Sequence, residues 1–173
     1  MSAGPVRDGS DEMSRDWPEP YLQPDRNQDC GFYATAYIVR CLGDTGATAG
    51  QVKAWRELTR YHETAYPRDV TGAETRSFTD DIHDQAGRAR YYMGPGGEAW
   101  VRGWLADGWI GYATVFRVPD MAHAVAVLGA GDDGVLLMDP LSGHVTESWD
   151  WFLGIGPGKY GCHYIEGWYR SAQ

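Results

Sequence analysis

Three polar residues stand at the edges of otherwise apolar segments, in an order that suits nucleophilic catalysis. Cys30 opens an amphipathic run in Gln28-Asp29-Cys30-Gly31-Phe32. His123 opens an apolar strand pattern in Ala122-His123-Ala124-Val125-Ala126-Val127-Leu128, and Asp139 follows 16 residues later in Leu136-Leu137-Met138-Asp139-Pro140. A thiol is a weak nucleophile until it loses its proton. An imidazole can take that proton, and a carboxylate can fix the imidazole tautomer and stabilise the imidazolium. Taken singly, each residue has a plainer reading: Cys as a small buried residue, His as a satisfied strand residue, Asp-Pro as a turn. Taken together and in this order, they point to an enzyme that forms a thioester.

Such chemistry also needs donors for the oxyanion. The Cys30 N–H is one. A glutamine side chain shortly before it is the natural second, and two compete. Gln23 stands seven residues upstream and Gln28 two. Gln28 is so near Cys30 that its side chain is expected to point elsewhere, so Gln23 is preferred.

The elements that must position these groups are legible in part. Phe32, Ala36 and Val39 recur at helical spacing, and Leu42-Gly43 is a natural stop, which predicts a helix over 29–42 with Asp29 as its cap. A helix N-terminus beside Cys30 favours the thiolate. A second helix is expected over 48–62, capped by Thr48, with Val52, Trp55, Leu58 and Tyr61 or His62 on one face. Residues 63–77 read as loop. A third helix is expected over Thr79–Gly87, a short strand at Tyr91-Tyr92-Met93, and a short helix over Glu98–Asp107 with Trp100, Val101, Trp104 and Leu105 inward.

The period then changes to that of strands. Trp109–Val118, Ala122–Leu128, Val135–Met138, His144–Glu147 and His163–Tyr169 are the candidates, with Gly131-Asp132-Asp133-Gly134 as a tight turn. Trp149–Leu153 fits a helical turn. A hairpin folded at Asp132-Asp133 brings His123 and Asp139 to the same side of a sheet, given a small bulge. A helical first half followed by an antiparallel second half is the α+β pattern. Residues 1–18 are polar and Pro-rich and read as a flexible tail, leaving 19–173 as one domain.

Composition narrows the partners. The 173 residues carry a formal charge of -9, with 8 Trp and 11 Tyr. That charge disfavours nucleic acid and anionic membranes, which need clustered Lys and Arg. No apolar run is long enough to span a bilayer, and Met1–Asp16 shows no apolar signal core. A cytoplasmic protein, or one exported without a signal peptide, is expected. Cys30, Cys41 and Cys162 form an odd, sparse set that suits a reducing compartment. Cys30 and Cys41 lie roughly 16 Å apart by helical rise, too far to bridge. Cys41 with Cys162 stays open for an exported protein. No spacing suits zinc, no cofactor is implied, and the glycine-rich Gly154–Lys159 lacks a phosphate-loop ending.

In Gln23 … Asp29-Cys30-Gly31 … Ala34, the chain resembles the papain-like cysteine peptidases, closest to the group related to the double-glycine leader peptidases of bacteriocin exporters. Trp104-Leu105-Ala106-Asp107-Gly108-Trp109-Ile110, His123-Ala124-Val125-Ala126-Val127 and Asp139-Pro140-Leu141-Ser142-Gly143 continue it over about residues 21–153. The resemblance implies a papain-like fold, with Cys30 as nucleophile, His123 as base and acid, Asp139 as orienter and Gln23 at the oxyanion. Two departures stand out. The glutamine offset is seven where many of these enzymes have six, and Phe32 and Tyr33 stand where small residues often follow. The implied substrate is a protein or peptide; the enzyme would be a processing peptidase of a larger assembly or would act on a host protein. The same triad also serves deamidases and transglutaminases of toxin or effector type, and an inactive shell of this fold would be a binding module.

Overall fold

A computed structural model describes residues 15–24, 28–59, 66–77, 93–118, 121–155 and 160–172. The elements are α1 (Cys30–Cys41), α2 (Ala49–Thr59), α3 (Tyr66–Thr71), β1 (Glu74–Ser77), α4 (Gly97–Ala106), β2 (Ile110–Val118), β3 (Met121–Gly131), β4 (Gly134–Asp139), β5 (Gly143–Glu147), α5 (Trp149–Phe152) and β6 (Gly161–Arg170). One six-stranded antiparallel sheet runs in the order β1-β6-β2-β3-β4-β5. Helices dominate the first half and the sheet dominates the second, an α+β arrangement.

The helix that begins at Cys30 is buried on more than one side. Ala34, Tyr37 and Ile38 pack on Ile110, Tyr112, Ala124, Ala126, Leu128 and Met138 of the sheet. Ala36 and Val39 pack with Ala47, Val52 and Tyr66, against which Phe32 also rests. The spacing of Phe32, Ala36 and Val39 therefore marks the face toward α2 and α3. The face on the sheet is a second stripe, and a helix apolar on both sides belongs in an interior. Leu42-Gly43 ends it, with Gly43 at φ 123°.

Thr48 caps α2 reciprocally. Its Oγ1 accepts from Gln51 N–H at 3.2 Å, and the Gln51 side chain accepts from Thr48 N–H at 2.9 Å, the two halves of a capping box. Val52 and Trp55 turn inward as expected, but Leu58 is 85% exposed. The helix was expected to reach 62. Residues 60–62 lie outside the described residues, as do Thr79–Gly87, Tyr91-Tyr92, Gly156–Lys159 and the first 14 residues. Residues 63–77 were expected to be loop, yet they contain α3 and β1. The physical reason is that α3 is too short to show a period. The polar strand Glu74–Ser77 is held by its ladder to β6 and by Arg170 on Glu74, at 2.6 and 2.9 Å. Met93 is not in a strand. It is buried in the cluster that holds Leu153, and a Cβ on Gly97 of α4 would collide with Met93 and Leu153 alike.

The opposite face of the sheet is covered by α4 and α5. Val101 and Leu105 join Val115, Val125, Val127, Leu137, Phe152 and Trp168, with Trp100 and Trp104 packed against them. Trp104 stacks on Trp168 with ring centroids 5.8 Å apart. Because β3 is covered on both faces, it reads as a continuous apolar run. Cys162 is buried in this cluster, whereas Cys41 packs in the cluster on the α1 side. All three cysteines are free, and the sheet separates Cys41 from Cys162, so their pairing is ruled out.

The β3–β4 hairpin sets the register on which the site depends. Gly134 follows its turn at φ +149°, and a Cβ there would lie 1.9 Å from the Glu147 carbonyl oxygen. Gly134→Ala is expected to destabilise the fold by about 3 kcal/mol. The check is a lowered urea midpoint at unchanged m-value, while Asp133→Ala stays within about 0.5 kcal/mol.

Candidate active site

Cys30 is the first residue of α1, so its sulfur lies at the helix end where N–H groups are unpaired. Asp29 occupies the cap position, but its side chain makes no cap hydrogen bond. Its carbonyl instead accepts from Phe32 and Tyr33 N–H at 2.9 and 3.1 Å. The first turn thus carries no acidic residue, and nothing acidic within it opposes a thiolate.

The strands supply the rest. The β3–β4 ladder runs back as far as Ala126 paired with Met138. Beyond it Ala124 has only a methyl group, so the first turn of α1 approaches the backbone. The Ala124 N–H donates to Cys30 Sγ at 3.5 Å. One step past the last rung, Asp139 falls diagonally across from His123, the placement at which cross-strand side chains still meet. A register shift between Val127 and Gly129 is the expected bulge. His123 Nε2 and Asp139 Oδ1 are 2.6 Å apart. With Nε2 engaged by the carboxylate, Nδ1 is the nitrogen that serves Cys30.

Asp139 is fully buried and would be costly to charge without partners. Besides His123, Oδ1 accepts from Leu141 N–H at 2.8 Å, and Oδ2 accepts from Arg117 Nε at 2.5 Å. Arg117 donates through Nη1 to Glu147 at 2.5 Å. Neither Arg117 nor Glu147 stands out in the sequence. Each is one charge on a strand, 22 and 8 residues from Asp139, and only the sheet order β2-β3-β4-β5 brings them together.

The electrostatics follow from these contacts. Burial acts to raise the Cys30 pKa. The His123 hydrogen bond, the Ala124 N–H, the imidazolium charge and the Gly31 N–H outweigh it, so the thiol lies below its ordinary value. Burial acts to lower His123, but its bonds to Asp139 and Cys30 and their charges lift it to about 9. Burial acts to raise Asp139, and His123, Leu141 N–H and Arg117 together hold it at about 2. His123 is thus raised above its unfolded value, so its contribution to stability is complete below about pH 6.5 and is lost as pH rises through about 9. Asp139 is lowered, so its contribution is complete above the ordinary carboxylate range and is lost as pH falls toward 2.

A cleft of about 230 Å³ opens beside the thiol, lined by Gln28, Gly31, Phe32, Arg56, Thr114 and Glu166 among others. Gln28, expected to point away, borders it. Gln23 is buried, and its backbone N–H donates to Pro140 O at 2.9 Å, next to Asp139. Among the described residues, no three His, Cys, Asp or Glu side chains converge as metal ligands would. No described helix is long and apolar enough to cross a membrane.

The same architecture occurs in a solved structure, the peptidase domain of Streptococcus ComA, a bi-functional ABC transporter involved in a quorum sensing pathway. The two share 15% identity and a TM-score of 0.53, over 89% of this chain and 98% of that one. At that identity the likeness is one of fold, and the fold is papain-like. No protein-family model and no curated protein sequence matches the chain.

Iodoacetamide at pH 6, followed by mass spectrometry, should alkylate Cys30 at least about tenfold faster than an ordinary thiol. The rate should hold through neutral pH and change again as His123 deprotonates near pH 9. Cys41, pushed up to about 12 by burial, and Cys162, raised further still by full burial, should stay unmodified. Equal labelling of all three would show that no activated thiolate exists.

Proposed function

We propose that the chain is a papain-like thiol hydrolase that cleaves a peptide or amide bond through Cys30, His123 and Asp139. The observation that carries this reading is the continuous contact from Cys30 to His123 to Asp139, with the thiol lowered and the imidazole raised. A thiol made more acidic by an adjacent imidazole of raised basicity is what a thiol nucleophile needs.

The Cys30 thiolate attacks the substrate carbonyl carbon, and the carbonyl electron pair moves onto oxygen. The resulting oxyanion rests on the Cys30 N–H and a glutamine amide. As the tetrahedral species collapses, the C–N bond breaks and His123 delivers its proton to the departing amine. The thioester remains on Cys30. Water then attacks it while His123 takes the water proton, and the acid leaves as the imidazolium–thiolate pair is restored. Asp139 keeps its charge throughout and stabilises the imidazolium.

For the second oxyanion donor, Gln23 is the reading that its place seven residues before Cys30 supports. Gln28 is the competitor, since it borders the cleft. The substrate is a protein or peptide, in line with the peptidase activity named for the ComA domain.

The test is proteolysis of a peptide library by the full chain, read as new termini by mass spectrometry. Cys30→Ala should abolish turnover. Gln23→Ala should lower kcat by about 10²–10³ with little change in KM, as removal of an oxyanion donor does, while Gln28→Ala should have a much smaller effect. A reversed ranking would move the oxyanion role to Gln28. Ammonia release from protein glutamine, without new termini, would redirect the chain to side-chain amide chemistry. No turnover, together with an unreactive Cys30, would leave a binding module.

A further inference from the structure

Asp139 presents its two oxygens to different partners. Oδ1 faces His123 and Leu141 N–H, and Oδ2 faces Arg117 Nε. The guanidinium is held in turn. Its Nη1 donates to Glu147 Oε1 at 2.5 Å, and it lies over the Trp151 ring at 5.1 Å. Four charged groups therefore alternate in sign along one line: imidazolium, carboxylate, guanidinium, carboxylate. They come from four neighbouring strands, β3, β4, β2 and β5.

We infer that Arg117, itself steadied by Glu147, is a positioning residue that sets how strongly Asp139 acts on His123, a role that rests on the catalytic reading of Cys30 and His123. One planar fork reaches two carboxylates here, which a lysine ammonium cannot do with the same geometry. For the proton on His123, the charge is what decides. The guanidinium, partly buried at 28% side-chain exposure, offsets some of the Asp139 charge that draws a proton onto His123. Glu147 in turn offsets part of Arg117. The balance has a catalytic use. An imidazolium stabilised too far by its carboxylate is a weak acid toward a leaving amine.

The two partners should therefore act with opposite signs. Removing the charge of Arg117 exposes His123 to the whole of Asp139 and makes the imidazole hold its proton more tightly. Removing the charge of Glu147 leaves Arg117 at full strength and loosens that proton. A residue that merely kept Asp139 in place would loosen the proton in both cases, because a displaced carboxylate supports His123 less. The other ionisable groups around His123 are Cys30 on α1 and, lining the same cleft, Arg56 on α2, Tyr112 on β2 and Glu166 on β6. Cys30 is replaced in every variant compared, and the other three are common to all of them.

The experiment is an NMR titration of the His123 ring in the full chain carrying Cys30→Ala, so that the imidazole titrates without the thiol. Arg117→Gln keeps a donor for Oδ2 and should raise the midpoint by about half a unit or more, while Glu147→Gln should lower it by a similar amount. Two downward shifts, or no shift in either, would overturn the assignment. Should Arg117→Gln not fold, Arg117→Lys carries the test. With charge kept it should leave the midpoint in place, and a fall matching that of Glu147→Gln would refute the role. The titration involves no turnover. Failure of the hydrolase reading would show separately, as an unreactive Cys30 in the wild-type chain.

Discussion

The Asp139 carboxylate is a fully buried charge at the end of a strand, and much of the surrounding structure answers to it. An unpartnered carboxylate in that position would cost several kcal/mol. The chain meets the demand from every side: an imidazole from β3, a backbone N–H from the turn after β4, and a guanidinium from β2. Each donor fixes something else. The imidazole is held in one orientation, the Pro140–Ser142 turn is folded back on its own strand, and Arg117 is tied to β5 through Glu147. The carboxylate organises the sheet end because it cannot be left alone there.

Helix α1 depends on a second constraint, the size of the side chains beneath it. Ala124 and Ala126 lie under the helix where β3 otherwise carries valine and leucine. Small residues let the first turn come close enough for a backbone N–H to reach the Cys30 sulfur. The other face of the same strand is filled by Val125 and Val127 against α4 and the tryptophan cluster. One strand thus has a tight face for chemistry and a bulky face for the core.

Much of this was legible before folding. Apolar runs and turn chemistry mark the β3–β4 hairpin, and with it the meeting of His123 and Asp139, because both lie on one local unit 16 residues apart. The start of α1 at Cys30 was legible from its stop at Leu42-Gly43 and its apolar spacing. What escaped reading depended on distant partners. The sheet-facing stripe of α1 is invisible until β3 is laid against it. Strand β1, with the polar sequence Glu-Thr-Arg-Ser, has no pattern of its own and exists through pairing with β6. Arg117 and Glu147 look like ordinary strand charges until β2 and β5 are brought to the same end of the sheet. Leu58 kept the helical period yet faces outward, because periodicity marks a stripe without saying that anything covers it.

The base and its orienter come from a single hairpin, while the nucleophile arrives on a helix 94 residues earlier than its strand contact. Among the described residues, the sulfur meets the strand of its base at a seam between the first turn of α1 and β3. Any local opening that lifts the first turn of α1 away leaves the imidazole–carboxylate pair intact and returns the thiol to the acidity of free cysteine. Reactivity is therefore a property of the closed seam rather than of the residues, and a chain not yet folded, or partly opened, carries an ordinary, unarmed sulfhydryl.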